Sequence, residues 1–168
     1  MSELVFLSLG SNQGDRETFI RNAVAELRQH PAIEFENSSP IFETEPLYNR
    51  EQPAFLNAVV AIRTILKPLE LLDYISRLEA AAGRPALRSK NQPRSLDIDI
   101  LSYSDHVHQD ERLTIPHPDL HRRRFVLAPW NEIAPEHTIA GERRSVRELL
   151  QTCPDSSQVK IAEMERIA

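Results

Sequence analysis

One cysteine, Cys153, is all the sequence holds. No internal disulfide and no multi-cysteine zinc site can form, which agrees with a reducing compartment, and Cys153 reads as a partly buried small side chain. Glycine is nearly as scarce, with four in 168 residues. Neither Gly-x-x-x-x-Gly-Lys-Ser/Thr nor Gly-x-Gly-x-x-Gly occurs, so a glycine-rich phosphate cradle is excluded. No apolar run approaches the roughly 20 residues that cross a bilayer. The start Met1-Ser2-Glu3-Leu4-Val5-Phe6 lacks the basic flank and cleavage site of a secretory signal. The expected setting is the cytoplasm, with no membrane partner. A net charge of −5 argues against nucleic acid as a partner, because neutralising phosphates needs a basic face. No repeat or low-complexity linker divides the chain, and its length suits one domain over 1–168. Nothing in the sequence sets an oligomeric state.

What is present has an order. Leu4 to Leu9 reads as a buried strand ending in Gly10-Ser11-Asn12-Gln13-Gly14, where Gly10 and Asn12 are expected as turn formers and Asp15 as a helix cap. Phe19, Ile20, Ala23, Val24 and Leu27 then recur at helical spacing. Ile33 to Glu36 starts a second strand, and residues 40–46 form an extended piece bracketed by Pro40 and Pro46. Phe55 to Leu66 is long, apolar and rich in β-branched residues, as a central strand should be. Pro68 suits a first helical turn, Leu69, Leu72, Ile75, Leu78 and Ala82 mark one helix face, and Gly83 stops it. Leu96 to Tyr103 is the next strand, followed from Asp105 to Asp110 by a turn or short hairpin with an added strand, carrying His106 and His108 as exposed residues. Beyond it Pro116, Pro118, Pro129 and Pro135 permit only short helices before a last one near Val146, Leu149 and Leu150. Strand, helix, strand, strand, helix, strand is the order of a ferredoxin-like α+β sandwich, an antiparallel sheet with helices packed on it.

The chemistry concentrates in Pro93-Arg94-Ser95-Leu96-Asp97-Ile98-Asp99-Ile100-Leu101. Alternate strand side chains share a face, so Asp97 and Asp99 point together, their Cα atoms roughly 7 Å apart, while Ile98 and Ile100 enter the core. Two carboxylates so placed repel unless a cation joins them, and oxygen ligands suit Mg²⁺ shared with phosphates. From these residues alone an exposed strand face with two ordinary acids remains open. Arg84, Arg88, Lys90 and Arg94 lie in an acid-free stretch just before, and Arg122, Arg123 and Arg124 form a second basic cluster. Acids for Mg²⁺ beside Arg for phosphate oxygens make a combination suited to a nucleoside triphosphate.

With Gly10-Ser11-Asn12, Thr44-x-Pro46-Leu47, Gln52-Pro53-x-Phe55-Leu56-Asn57, Glu79 with Gly83-Arg84, the 93–101 segment, Leu113-x-x-Pro116-His117-Pro118, and Arg123-x-Phe125-Val126-Leu127 running to Glu132-Ile133-Ala134-Pro135, the chain resembles the 6-hydroxymethyl-7,8-dihydropterin pyrophosphokinases of folate synthesis. The resemblance implies transfer of pyrophosphate from ATP, as co-substrate, to the hydroxymethyl group of the pterin. It implies two Mg²⁺ ions on Asp97 and Asp99, with Arg84 and Arg94 joining those two as the catalytic set. Around ATP it implies Glu79, Arg84, Arg94, Ile100, His117 and Arg123. Around the pterin it implies Thr44, Pro46, Leu47, Phe55, Asn57 and Phe125. These roles are chemically reasonable: Phe55 and Phe125 can sandwich a flat heterocycle, and Asn57 offers a donor and an acceptor to its edge. Without the resemblance, the two Phe read as core and His117 as a structural histidine. Asn57, an amide in an apolar strand, needs partners in any reading.

The chain departs from the family pattern at 85–92, where Pro85-Ala86-Leu87 replaces a more basic run and Asn91-Gln92 stand where many members carry tryptophan and glycine. A polar loop there is still expected to close over the site and exclude water. Three rival readings follow: a binding module that has lost turnover, another Mg²⁺-dependent nucleotide enzyme, and a ferredoxin-like RNA binder. The last lacks the surface aromatics and basic sheet face it needs.

Overall fold

The computed structural model describes residues 1–46, 51–83, 95–162 and Ile167. The apolar run at the start continues further than its pattern suggests, forming β1 (Glu3–Ser11), in which Val5, Leu7 and Leu9 are fully buried. The turn follows at Gly14, whose φ of 69° is the left-handed value that glycine adopts without strain. Asp15 then caps α1 (Arg16–Gln29), its carboxylate accepting the Thr18 N–H at 3.2 Å, as expected.

β2 (Ile33–Ser38) and β3 (Phe42–Thr44) lie end to end along β4 (Phe55–Thr64). The break between them falls at Pro40, which has no N–H for a ladder. Ser39 bridges the gap: its N–H donates to the Val59 carbonyl at 2.9 Å and its hydroxyl accepts the Val59 N–H at 3.0 Å. Pro68 opens α2 (Pro68–Ala81), the Glu70 carboxylate accepts the Lys67 N–H at 2.7 Å, and Gly83 at φ 90° ends it.

β5 (Asp97–Tyr103) pairs antiparallel with β1, so the main sheet runs β5-β1-β4-β3-β8, with β2 also on β4 and β8 (Val159–Ile161) at the far edge. β6 (His108–Gln109) and β7 (Thr114–Ile115) form a hairpin as a separate two-stranded sheet, set further along the chain than the expected 105–110. His106 is exposed as expected but precedes the hairpin, whereas His108, in β6, is half-buried with its Nε2 2.8 Å from the Asp110 carboxylate, which corrects its expected exposure.

Alternation along β1, β4 and β5 divides the core in two. Leu7, Leu9, Val60, Ile62, Ile98 and Ile100 face α1 and α2. Phe6, Val59, Ala61 and Leu101 face α3 (Arg124–Ile133) and α4 (Val146–Gln151). The ferredoxin-like arrangement is therefore present, and the sheet's second face, for which the sequence order assigned no helix, is also covered. α3 runs ten residues through Pro129, longer than the proline spacing suggests. Fully buried Trp130 explains this: its ring lies 5.2 Å from that of Phe6, and the lost backbone bond is outweighed by packing.

α4 has only six residues, and a capping box secures it: the Ser145 hydroxyl accepts from Glu148 N–H at 3.2 Å, and the Glu148 carboxylate accepts from Ser145 N–H at 3.3 Å. Ser145→Ala is expected to cost about 1 kcal/mol, read as a lower urea midpoint with an unchanged slope.

Candidate active site

β5 is an edge strand, and its outward backbone groups are taken up by two residues that the sequence marks as functional. The buried Glu79 carboxylate on α2 accepts the Ile98 N–H at 3.0 Å, and the His117 N–H donates to the Leu101 carbonyl at 3.0 Å. An edge strand so covered is held in place and kept from pairing with another chain. Between these two supports Asp97 and Asp99 are half-buried on the same face, as alternation requires, while Ile98 and Ile100 are in the core. A cleft of about 300 Å³ opens here, lined by Glu79, Asp97, Asp99, Ile100, Thr114 and His117, among others. Ile100 only borders it, being 3% exposed and packed in the core.

His117 sits between opposing influences. Burial pushes its imidazole down to about 4, Arg123 adds to that effect, and Asp119 and Asp97 oppose it. The ring is therefore neutral at pH 7. Its Nδ1 accepts the Asp119 N–H at 3.2 Å, so Nε2 carries the proton and is the donor available to a ligand. Arg123 also reaches Asp119 at 3.5 Å, and its guanidinium carbon lies 5.7 Å from the centre of the Phe125 ring. The depressed value has a consequence for stability. An unfolded His117 titrates near 6.5, so the unfolded chain takes up a proton that the folded chain refuses. Stability is fully present above about 6.5 and falls as pH drops towards 4. His117→Asn is expected to lose less stability across this window than the parent, by on the order of 2 kcal/mol after allowance for partial exposure, in metal-free urea melts.

The second group of residues lies two strands away. The Asn57 Nδ2 donates to the Thr44 hydroxyl at 2.6 Å, and the two residues are 3% and 2% exposed. The other Asn57 N–H and its Oδ1 have no hydrogen-bond partner among the described residues. Phe55 is half-buried next to this pair, and Pro46, two residues after Thr44, is buried. Half-buried Phe125, on the first turn of α3, packs partly against the core of the second face. The sheet register joins the two groups: Gly10 is opposite Asp97 on one side and Asn57 on the other.

Gly10 is thus a strand residue, which corrects its expected role as a turn former. Asn12 is not a simple turn former either. It is buried, and its amide donates to Gln52 Oε1 at 2.9 Å and to the Pro53 carbonyl at 3.2 Å, bracing the approach to Phe55. Arg84, Arg94 and Leu47, together with the expected lid at 85–92, lie outside the described residues. The sequence reading missed Ser76 and Thr114, both in the cleft wall. Ser76 was within reach, since 72, 76 and 79 form one helical stripe. Thr114 had no such signal.

An open carboxylate cleft and a buried polar amide thus lie side by side across β1 of an α+β sheet. The comparisons sharpen this. Residues 6–135 match the family model "7,8-dihydro-6-hydroxymethylpterin-pyrophosphokinase (HPPK)", and the chain belongs to that family. It is 43% identical over 133 residues to the Bacillus subtilis 2-amino-4-hydroxy-6-hydroxymethyldihydropteridine pyrophosphokinase, covering 79% of each chain. With the protein of the same name from Haemophilus influenzae it shares 36% over 156 residues, 93% of this chain and 96% of that one. Among solved structures, Plasmodium falciparum HPPK-DHPS with pteroate superposes with a TM-score of 0.71 at 16% identity, a likeness of fold. The match takes in 90% of this chain, which spans 42% of the Plasmodium chain.

Proposed function

We propose that this chain carries out the family's reaction, pyrophosphate transfer from ATP to 6-hydroxymethyl-7,8-dihydropterin in folate synthesis, with the triphosphate at Asp97, Asp99 and His117 and the pterin at Thr44 and Asn57. The observation that carries this placement is the register that puts Asp97 and Asn57 on either side of Gly10. Two strand spacings separate their backbones by about 10 Å, a span that a pterin with a one-carbon arm and a phosphate chain can bridge. The hydroxymethyl oxygen attacks the β-phosphorus of ATP and the bond from that phosphorus to the α,β-bridging oxygen breaks. AMP leaves, the pterin diphosphate forms, and the hydroxyl proton is released.

Each protein group has a task in this scheme. The Asn57 Oδ1 and free N–H take the edge of the pterin, and the Thr44 bond fixes which atom faces which way. Phe55 and Phe125 stack against the flat ring beside Pro46, with Leu47 a further expected contact. His117 donates from Nε2 to a phosphate oxygen, while Arg123, with Arg84 and Arg94, balances the charge that moves to the leaving phosphate. Glu79 keeps β5 in register for Asp97 and Asp99.

The carboxylate pair suits Mg²⁺: the donors are all oxygen, and both are half-buried at an open cleft. Substrate phosphates and water would complete such a shell. Two Mg²⁺ ions held at Asp97 and Asp99 would neutralise and orient the triphosphate. We also read residues 1–168 as one domain working in the cytoplasm on these two small molecules, without nucleic acid or membrane. No helix among the described residues is long and apolar enough to cross a bilayer. The test is AMP formation from Mg-ATP with and without the pterin. Release that requires pterin supports the reading, whereas pterin binding without AMP leaves a binding module. AMP or ADP release indifferent to pterin makes the chain another nucleotide enzyme.

A further inference from the structure

Gly10, the penultimate residue of β1, is buried and paired with strands on both sides, where glycine is a poor choice for a strand and alanine would ordinarily be more stable. No left-handed backbone accounts for it, because positive φ values occur at Gly14, Gly83 and Gly141 and not here. What accounts for it is space. A Cβ at this position would stand 2.8 Å from the Asn57 Oδ1, closer than real contacts allow, and 3.8 Å from both the Leu56 carbonyl oxygen and the Phe55 ring.

The amide cannot swing aside without loss. Its other end is tied to the Thr44 hydroxyl at 2.6 Å in a place only 3% exposed, so any turn that clears a methyl group stretches that bond. Opposite Gly10 on its other side lies Asp97, so a displaced amide shifts towards or away from the cleft in which the reaction takes place.

We propose that Gly10 is a positioning residue: the bare backbone of β1 is the seat on which the Asn57 amide lies, and this seat fixes the donor and acceptor shown to the heterocyclic substrate. The proposal rests on the reading of Asn57 as the pterin contact. Gly10 touches no reacting atom itself and acts through Asn57.

The test is a double-mutant cycle of Gly10→Ala and Asn57→Ala, read by calorimetric binding of the pterin and of Mg-ATP and by thermal melting. Gly10→Ala is expected to weaken pterin binding by ~10-fold or more and leave Mg-ATP binding within about twofold, a split that general loosening would not give. In the Asn57→Ala background, where the clashing group is gone, Gly10→Ala should change pterin affinity by less than about twofold and should not lower the melting temperature. If Gly10→Ala alone folds poorly, recovery on adding Asn57→Ala supports the seat. Pterin affinity unchanged in Gly10→Ala, or losses that multiply in the double variant, would overturn it. A parent protein that binds no pterin defeats the substrate reading and leaves the Gly10–Asn57 contact to be decided by the melting cycle.

Discussion

Alanine at Asp97 or at Asp99 is expected to cut pterin-dependent AMP release by on the order of 10³-fold, while the protein stays folded. Both carboxylates are half-buried on an edge strand whose position is set by Glu79 and His117, so removing either leaves the backbone supports intact. What is lost is the all-oxygen donor pair that would hold a cation against the triphosphate. The loss should appear in metal linkage as well as in rate. The parent should gain melting temperature when Mg²⁺ and an unreactive ATP analogue are added together, because ligands that bind only the folded state stabilise it. Neither variant should show that gain. Near-normal turnover in either variant would remove the pair from the mechanism.

Asn57→Ala should weaken pterin binding by roughly 10- to 100-fold, with Mg-ATP binding little changed. Two effects combine. The ligand loses a donor and an acceptor, and the Thr44 hydroxyl, 2% exposed, loses the amide it now receives at 2.6 Å. A buried polar group left without its partner costs more than the bond itself contributes. Thr44→Val in the otherwise native protein should give a smaller version of the same change, since the amide remains but is free to turn. Calorimetry with each ligand separately distinguishes these outcomes from a collapse of the whole site, which would weaken both.

Much of this site was readable from residue order, because the informative features are local. Asp97-Ile98-Asp99-Ile100 alternates in a way that only a strand with one wet face satisfies, and the structure buries the two isoleucines and half-exposes the acids. Asn57 stood out as an amide in an apolar strand, and it is buried as that reading required. The features that were missed depend on distant partners. Gly10 reads as a turn until Asn57 is known to lie over it, because the reason for its missing side chain is 47 positions away in sequence and adjacent only through strand pairing. Helix α3 was masked by Pro129, since local propensity counts the proline but not the contacts of Trp130 with Phe6. Strand β8 is three residues long with two of them exposed, so it carries no core pattern of its own and is defined by pairing with β3.

That pairing has a functional side. β8 lies along the strand that presents Thr44, with Val159 opposite Thr44 itself. It also falls beyond the 6–135 segment matched by the family model. The strand that carries Thr44, the pterin contact on the proposed reading, is thus flanked by a part of the chain outside the family's matched core.

The central claim is that two phosphoryl groups move together from ATP to the pterin. The most direct measurement is ³¹P NMR of the products formed from Mg-ATP and 6-hydroxymethyl-7,8-dihydropterin. The account predicts AMP and a pterin carrying two mutually coupled phosphorus nuclei in equal amounts. ADP with a singly phosphorylated pterin, or AMP with free pyrophosphate and unchanged pterin, would contradict it.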